Sequence, residues 1–215
     1  MESVKRSYDS SRRRLQARET ERAVLAAARH LFGEQGFGGT TLAEVAEAAG
    51  VSVETLYARF RSKAGLLNRL WDVTIGGDDD EVVYHERPEV QALQAEPDLA
   101  RRLVLQARLF TETAHRIVPF LLMVQGAAGS EPAAAKMLEE MGRQRFAGIS
   151  LMAEFAAATG QLAVTTEVCR DVIWAMTDGM LWHRLVQQRG WTDEQFAQHV
   201  GQVWISVLVQ RGDGG

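Results

Sequence analysis

The segment TTLAEVAEAAGVSVETLYARFRSK, residues Thr40 to Lys63, decides the fold of this chain. Thr41 is followed three residues later by Glu44, which is the spacing of a capping box in which each side chain bonds the other residue's backbone amide. A helix is therefore predicted to begin at Leu42. Gly50 stands where this short helix must end, because glycine adopts a left-handed backbone at little cost.

A second short helix is predicted directly after the turn. Ser52 is a preferred N-cap residue, and Leu56 and Phe60 follow it on one helix face. The opposite face presents Glu54, Thr55, Ala58 and Arg59, with Tyr57 at its margin. Two short helices joined by a tight turn form a helix-turn-helix, whose second helix fits the major groove of DNA. The alternative is an ordinary helical hairpin in an all-α enzyme or adaptor.

The densest part of the segment is Leu56-Tyr57-Ala58-Arg59-Phe60-Arg61-Ser62-Lys63, a pattern that generic helix-turn-helix proteins lack. With it, residues 18–75 closely resemble the DNA-binding domain of the tetracycline-repressor (TetR) family. The resemblance implies an all-α fold, in which a three-helix DNA-binding head and a linking fourth helix precede an α-helical ligand-binding and dimerisation body. Two positions depart from the family pattern. Many relatives have His where Arg59 stands, and a small or basic residue where Glu54 stands.

The exposed face and the resemblance together predict the DNA contacts. Lys63 and Tyr57 lie at the margins of the recognition helix and are expected to hold phosphates, while Thr55 and Arg59 can reach base edges or adjacent phosphates. Glu54 is unfavourable near phosphates unless it accepts from a cytosine amino group. The predicted DNA-binding residues are Thr41, Ser52, Glu54, Thr55, Tyr57, Arg59 and Lys63.

Charge is divided unevenly along the chain, whose 215 residues carry a net charge of −4. Residues 1–75 hold 12 Lys and Arg against 9 Asp and Glu, a net charge of +3, and the rest of the chain carries −7. A basic head on an acidic body would orient the molecule on a polyanion. Residues 1–17 are predicted to form a mobile basic arm, which either inserts arginines into a minor groove or is a solvated tail.

Composition excludes several classes of protein. The single cysteine, Cys169, rules out an internal disulfide and a cysteine-based zinc cluster. No window approaches the ~18 uninterrupted apolar residues of a membrane span, so a cytoplasmic protein without a membrane partner is expected. The chain has no nucleophile elbow, no phosphate-binding loop and no histidine pair at metal-ligand spacing. We therefore predict no catalytic site, no metal and no cofactor.

Helical spacing recurs through most of residues 76–215, the predicted body, and no β pattern appears. Residues 82–97 stay unassigned, because Pro88 and Pro97 limit any helix there to a short piece. Asp78–Glu81 is predicted to be a solvated break between the two domains. Besides the two short helices of the Thr40–Lys63 segment, the predicted helices span residues 18–35, 63–75, 99–116, 120–128, 132–159, 166–189 and 193–208.

Large soft side chains in the body either form its core or line a cavity for a small molecule. The resemblance favours a cavity, because TetR-family proteins hold effectors between such helices. The predicted ligand-binding residues are Phe110, His115, Met123, Phe146, Met152, Trp174 and Asp178.

The last two predicted helices are apolar on more than one face, so they must bury that surface in their own domain or against a second copy. The predicted dimer-interface residues are Val172, Gly179, His183, Val200, Val203, Trp204 and Val207. The sequence thus predicts a homodimeric regulator, most simply a repressor, that binds a palindromic operator and is released by a mostly apolar effector. The alternatives are a ligand-independent or activating regulator, an enzyme with His115 or His183 as its base, and an adaptor that does not bind DNA.

Overall fold

The computed structural model describes the backbone of residues 2–77 and 88–210, and the side chains of residues 15–77, 88 and 90–210. This part of the chain is all-α and contains no strand, only an isolated antiparallel bridge between Leu162 and Val209. The all-α prediction is confirmed. The predicted break Asp78–Glu81 and His85 lie outside the described residues.

The helices follow one another with short connections. They are α1 (Glu2–Gly39), α2 (Leu42–Ala48), α3 (Val53–Phe60), α4 (Lys63–Gly76), α5 (Pro88–Ala95), α6 (Leu99–Ala127), α7 (Pro132–Ala157), α8 (Thr166–Met176), α9 (Met180–Trp182), a π-helical segment (His183–Gln188) and α10 (Asp193–Leu208).

The chain forms two compact units. The first runs to Val73 and includes Leu122–Met137, and the second consists of Thr74–Leu121 and the chain from Leu138 onward. The sequence suggested one division near residue 75, whereas Leu122–Met137 clusters with the first unit. Packing of a later segment with an earlier unit depends on long-range contacts, which local sequence patterns do not indicate.

The core of the first unit is built from the apolar stripes of α1, α2 and α3. Val24, Phe32, Val45 and Leu56 are each 1% exposed or less. Gly36 has φ +76°, which interrupts α1 where the sequence predicted its end. The other end of α1 corrects the prediction, because the helix begins at Glu2 rather than near Arg18. Residues 2–17 contain neither glycine nor proline, so nothing in them stops a helix.

Two of the later helices also differ from their predictions. Pro119 was expected to separate two helices, but α6 runs through it. Val118 and Val124 on either side of the proline are almost fully buried, so packing maintains the helix despite the missing amide donor. The predicted helix 166–189 is instead divided at Gly179, which has φ +86°. Its Cα faces Val118, and an added Cβ would lie 3.0 Å from Val118 Cγ2.

The core of the second unit joins α6 to the last helices. Trp182, Phe196 and Trp204 are completely buried there. Gly201 of α10 lets the two helix backbones approach closely. A Cβ on Gly201 would lie 3.5 Å from Val104 Cα of α6. Thr192 and Gln195 form the predicted capping box at the start of α10, with Thr192 N–H donating to Gln195 Oε1 at 2.8 Å.

Gly179→Ala should therefore lower the free energy of unfolding by about 1–2 kcal/mol, because an L-residue is strained at this positive φ. Gly148→Ala is the matched control, since Gly148 lies inside α7 with no atom within 4 Å of the added Cβ. There the change should be neutral or stabilising by up to about 1 kcal/mol. Chemical denaturation of both variants measures this difference, and equal stability of the two would contradict it.

Candidate nucleic-acid interface

The start of α2 is fixed by the predicted capping box. Thr41 N–H donates to Glu44 Oε2 at 2.7 Å, and Glu44 N–H donates to Thr41 Oγ1 at 3.2 Å. The Thr41 hydroxyl and amide lower the pKa of Glu44, so its carboxylate stays ionised. Gly50 ends the turn with φ +67°, as its position in the sequence predicted. The Thr41 hydroxyl also donates to Glu44 Oε2 at 2.7 Å, so it offers DNA mainly an acceptor.

The start of α3 is fixed in a similar way. Ser52 Oγ accepts from the Thr55 amide at 3.1 Å and lies 3.0 Å from Thr55 Oγ1. Bonds to its own backbone amide and to Ser52 lower the pKa of Glu54. Glu54 is therefore an ionised carboxylate at a helix N-terminus, a position that favours negative charge regardless of DNA.

Leu56 and Phe60 anchor α3, and the opposite face is exposed as predicted. Leu56 is 0% exposed and Phe60 is 7% exposed. The exposed residues of α3 are Glu54, Thr55, Tyr57, Ala58 and Arg59. Tyr57 is one of the large apolar side chains most open to solvent, at 50%. The face available for a groove is thus short, polar and bordered by an aromatic ring.

The connection from α3 to α4 depends on glycine at one position. A Cβ on Gly65 would lie 2.0 Å from the Phe60 carbonyl oxygen, so only glycine fits there. The Gly65 amide donates to Ser62 Oγ at 3.0 Å, which confirms Ser62 as the cap of α4. Arg61 between the helices has φ +64°, an unusual value for a residue with a side chain. Sequence reasoning did not identify the role of either Gly65 or Arg61.

Lys63 is held against the first helix rather than extended into solvent. Its Nζ lies 4.3 Å from the centroid of the Phe37 ring and 3.4 Å from the Gly38 carbonyl oxygen. An ammonium group has three donors, so donors remain for a phosphate after the bond to Gly38. Lys63 is half-buried, and its charge has a defined position at the start of α4.

Arg59 has an ion-pair partner that the sequence did not reveal. Its Nη2 donates to Glu21 Oε2, while Arg69 Nε donates to Glu21 Oε1 at 2.5 Å. The Glu21 side chain is only 8% exposed, whereas Arg59 and Arg69 are 48% and 34% exposed. One buried carboxylate of α1 therefore joins α3 to α4. Glu21 and Arg59 are 38 residues apart, beyond the range of any helical periodicity.

An open cleft of about 490 Å³ lies between α1 and α3, beside this carboxylate. Gln16, Thr20 and Glu21 line it from α1, and Thr55, Ala58 and Arg59 line it from α3. The cleft borders the exposed face of α3 with amide, hydroxyl and guanidinium groups. These are hydrogen-bonding groups that proteins use to contact DNA.

Comparison with known proteins agrees with this geometry. Residues 24–70 match the family of bacterial regulatory proteins described as the tetR family. This segment of the chain is therefore a TetR-family domain. Over 59 residues the chain is 37% identical to the HTH-type transcriptional regulator AcrR of Shigella flexneri, and over 73 residues 33% identical to the HTH-type transcriptional repressor BdcR of Escherichia coli strain K12.

These matches cover 27% and 33% of this chain, and 27% and 37% of the two relatives. The fold extends further than the sequence similarity. The structure of NalD, the secondary repressor of the MexAB-OprM multidrug efflux pump in Pseudomonas aeruginosa, superposes with a TM-score of 0.67 at 19% identity. That match covers 91% of this chain and all of NalD, so the similarity of fold extends over the body.

Five of the seven predicted ligand residues in the body fall into two groups of contacts. Between α6 and α10, the Phe110 ring lies 6.2 Å from that of Phe196, and His115 Nε2 lies 2.8 Å from Asp193 Oδ2. His115 also meets the buried Trp182 edge to face at 4.8 Å.

The second group lies between α7 and α8. Phe146 and Trp174 are both more than 40% exposed, under the guanidinium groups of Arg170 and Arg145 respectively. Burial lowers the pKa of Arg145, and Asp178 opposes that shift. The Asp178 carboxylate also accepts from the Met180 amide at 2.8 Å. The structure therefore gives each of these residues a contact of its own.

The two predicted methionines do not join either group of aromatic contacts. Met152 Sδ accepts from Gln106 Nε2 at 3.0 Å, on the side of α7 that meets α6. Met123 is half-buried and falls in the first unit.

The predicted dimer residues divide by burial. Val200 and Trp204 are 0% exposed inside the protomer, and Gly179 packs on Val118, so these assignments to a surface are corrected. Their stripe faces the core of the second unit. Val172, His183 and Val203 are half-buried, and Val207 is 43% exposed. His183 Nδ1 is within 2.6 Å of Gln187 Oε1.

Other chemical features of the described residues give no sign of catalysis. No group of three or more His, Cys, Asp or Glu side chains is placed to hold a metal ion in this part of the chain. Burial raises the pKa of the Cys169 thiol to about 11, so it stays protonated near neutral pH. Within the same residues, no helix is both long and apolar enough to cross a membrane.

Glu21→Gln should lower the free energy of unfolding by about 1–2 kcal/mol. Removing one member of a buried ion pair usually costs more, but both arginines retain access to water. Glu19→Gln is the matched control, because Glu19 lies on the same helix and is exposed. Thermal and urea unfolding measure the difference. Equal stability of the two variants would show that the Glu21 ion pairs contribute nothing to folding.

Proposed function

We propose that this TetR-family protein is a transcriptional repressor that binds a palindromic operator as a homodimer and is released by a small, mostly apolar effector. The observation that carries the proposal is the exposed polar face of α3, which two caps and the buried pair Leu56 and Phe60 hold in place. A two-fold dimer presents two such helices, so its operator is expected to be palindromic. Such a protein would act in the cytoplasm.

Repression is favoured over activation by the relatives. BdcR is described as a transcriptional repressor, and NalD as the secondary repressor of an efflux pump. The alternatives are an activating regulator or one that needs no ligand. A reporter gene downstream of the operator distinguishes these, because a repressor lowers expression when it is bound.

Selection from a random pool of duplex DNA tests the DNA-binding part of the proposal. The protein should enrich a two-fold symmetric motif, and its affinity should fall steeply with salt, since phosphate contacts release counterions. An enzyme or an adaptor with the same fold would select no motif. An absence of enrichment at low salt would therefore overturn the proposed function.

A stripe of four valines, two of them exposed and two half-buried, supports the dimer. Val168 and Val172 lie four residues apart on α8, Val203 and Val207 lie four apart on α10, and these two helices contact each other. Val168 and Val207 are 44% and 43% exposed. Apolar side chains that stay open to solvent in the protomer are stabilised by burial against a second copy.

The effector is proposed from the residue types in the body. Phe110, Phe146 and Trp174 offer aromatic surface, and His115 offers a polar group close to the buried Trp182. Apolar surfaces with few polar groups are typical of small-molecule sites. A thermal-shift screen with apolar and aromatic compounds tests this. A compound that raises the melting temperature and releases DNA supports the proposal, whereas compounds that never do both contradict it.

Lys63→Ala and Thr55→Val should have opposite effects on DNA binding. Lys63→Ala should reduce the salt slope by about 2 per dimer without changing sequence preference, because each phosphate contact contributes about 0.9. Thr55→Val should leave the slope unchanged and cost about 1–3 kcal/mol only against the preferred base. Both variants are titrated on the selected motif and on single-base changes of it at several salt concentrations. A changed base preference in Lys63→Ala would contradict the assignment.

Val207→Asp should convert the dimer to monomers, because it places a charge within the valine stripe. Affinity for a two-site operator should then fall steeply, since the half-sites are no longer bound together. Gln198→Asp is the control, because Gln198 is also exposed on α10 but lies away from the stripe. Sedimentation velocity at micromolar concentration decides the matter. A monomeric wild type would refute the dimer.

A further inference from the structure

The ion cluster formed by Glu21, Arg59 and Arg69 is not explained by packing alone. Two of its three charges lie on α1 and α4, while Arg59 lies on the exposed face of α3. Glu21 is 8% exposed and its two oxygens are divided between the two arginines. Each oxygen accepts from a different helix, so the carboxylate fixes where the Arg59 guanidinium stands.

Donors remain on Arg59 after this bond. A guanidinium has five N–H groups in a rigid planar fork, and Arg59 donates to Glu21 from Nη2 alone. The side chain is 48% exposed and lines the cleft between α1 and α3. Thr55 lies one helical turn earlier on the same face, and the adjacent Ala58 is too small to cover the guanidinium.

We propose that Arg59 recognises a guanine in each half-site and that Glu21 is the positioning residue that presets its guanidinium. Arginine donates to guanine O6 and N7 together, and this pair of bonds requires a fixed orientation of the fork. A side chain held by a second residue loses little further conformational entropy when it binds. The inference rests on the proposed function, because it presupposes that α3 enters a major groove.

The charge balance favours a base over a phosphate as the partner of Arg59. A phosphate contact needs positive charge above all, and Glu21 offsets one of the two positive charges beside it. A buried carboxylate therefore weakens attraction to the DNA backbone. The Glu21 carboxylate is an advantage where the orientation of the guanidinium matters more than its charge. Base recognition has this requirement.

The test compares motifs selected from the same random duplex pool by the wild type, Arg59→Lys, Glu21→Gln and Arg69→Gln. Arg59→Lys keeps the positive charge but replaces the fork with a single ammonium group. It should lower discrimination for guanine at one position per half-site by about tenfold or more while affinity for unselected DNA stays the same. Glu21→Gln should lower discrimination at that same position by about two- to twelvefold, because Arg59 is no longer preset.

Arg69→Gln is the matched control. It also removes a partner of Glu21, but Arg69 lies on α4, so the selected motif should not change. Circular dichroism melts show whether each variant folds, and Arg59→Lys alters an exposed side chain. Arg59→Lys therefore keeps the test decisive even where Glu21→Gln is unstable.

Two results would overturn the inference. One is an unchanged motif in Arg59→Lys. The other is an equal loss of affinity for all sequences, which would assign Arg59 to a phosphate. Both leave the proposed function intact, because the wild type would still select a motif. If the wild type selects none, the proposed function itself has failed.

Discussion

The burial of Leu56 and Phe60 is the constraint on which the DNA-binding head depends. The recognition helix α3 has only eight residues, far fewer than an isolated helix needs for stability in water. It exists because these two side chains are enclosed by the other helices of the head and because Ser52 supplies its first acceptor. The same two residues set the rotation of the helix. Because Leu56 and Phe60 anchor one face of α3, the opposite face is the one available to DNA.

Contacts at both ends of α3 add to this anchoring. The Phe60 carbonyl approaches Gly65 so closely that no side chain fits, which fixes the step into α4. Lys63 then packs on Phe37, and Glu21 joins Arg59 to Arg69. Apolar, backbone and ionic contacts thus link α1, α3 and α4 to one another.

Local signals account for what the sequence predicted well. The capping boxes at Thr41 and Thr192, the caps at Ser52 and Ser62 and the turn at Gly50 all depend on residues within a few positions of one another. Long-range contacts account for what it missed. Packing keeps α6 helical through Pro119, and the approach of Val118 to Gly179 divides the helix after α8. The partner of Arg59 lies on another helix, so no spacing rule could identify it.

The buried Cys169 thiol can serve as a natural probe of local unfolding around α8. It is the only thiol in the chain, is 0% exposed on α8, and has a pKa near 11. A protonated, enclosed thiol does not react with alkylating reagents at neutral pH. Labelling must therefore wait until α8 separates from its neighbours, and its rate measures the free energy of that local opening. The native protein, without any engineered label, thus reports the stability of the packing around α8.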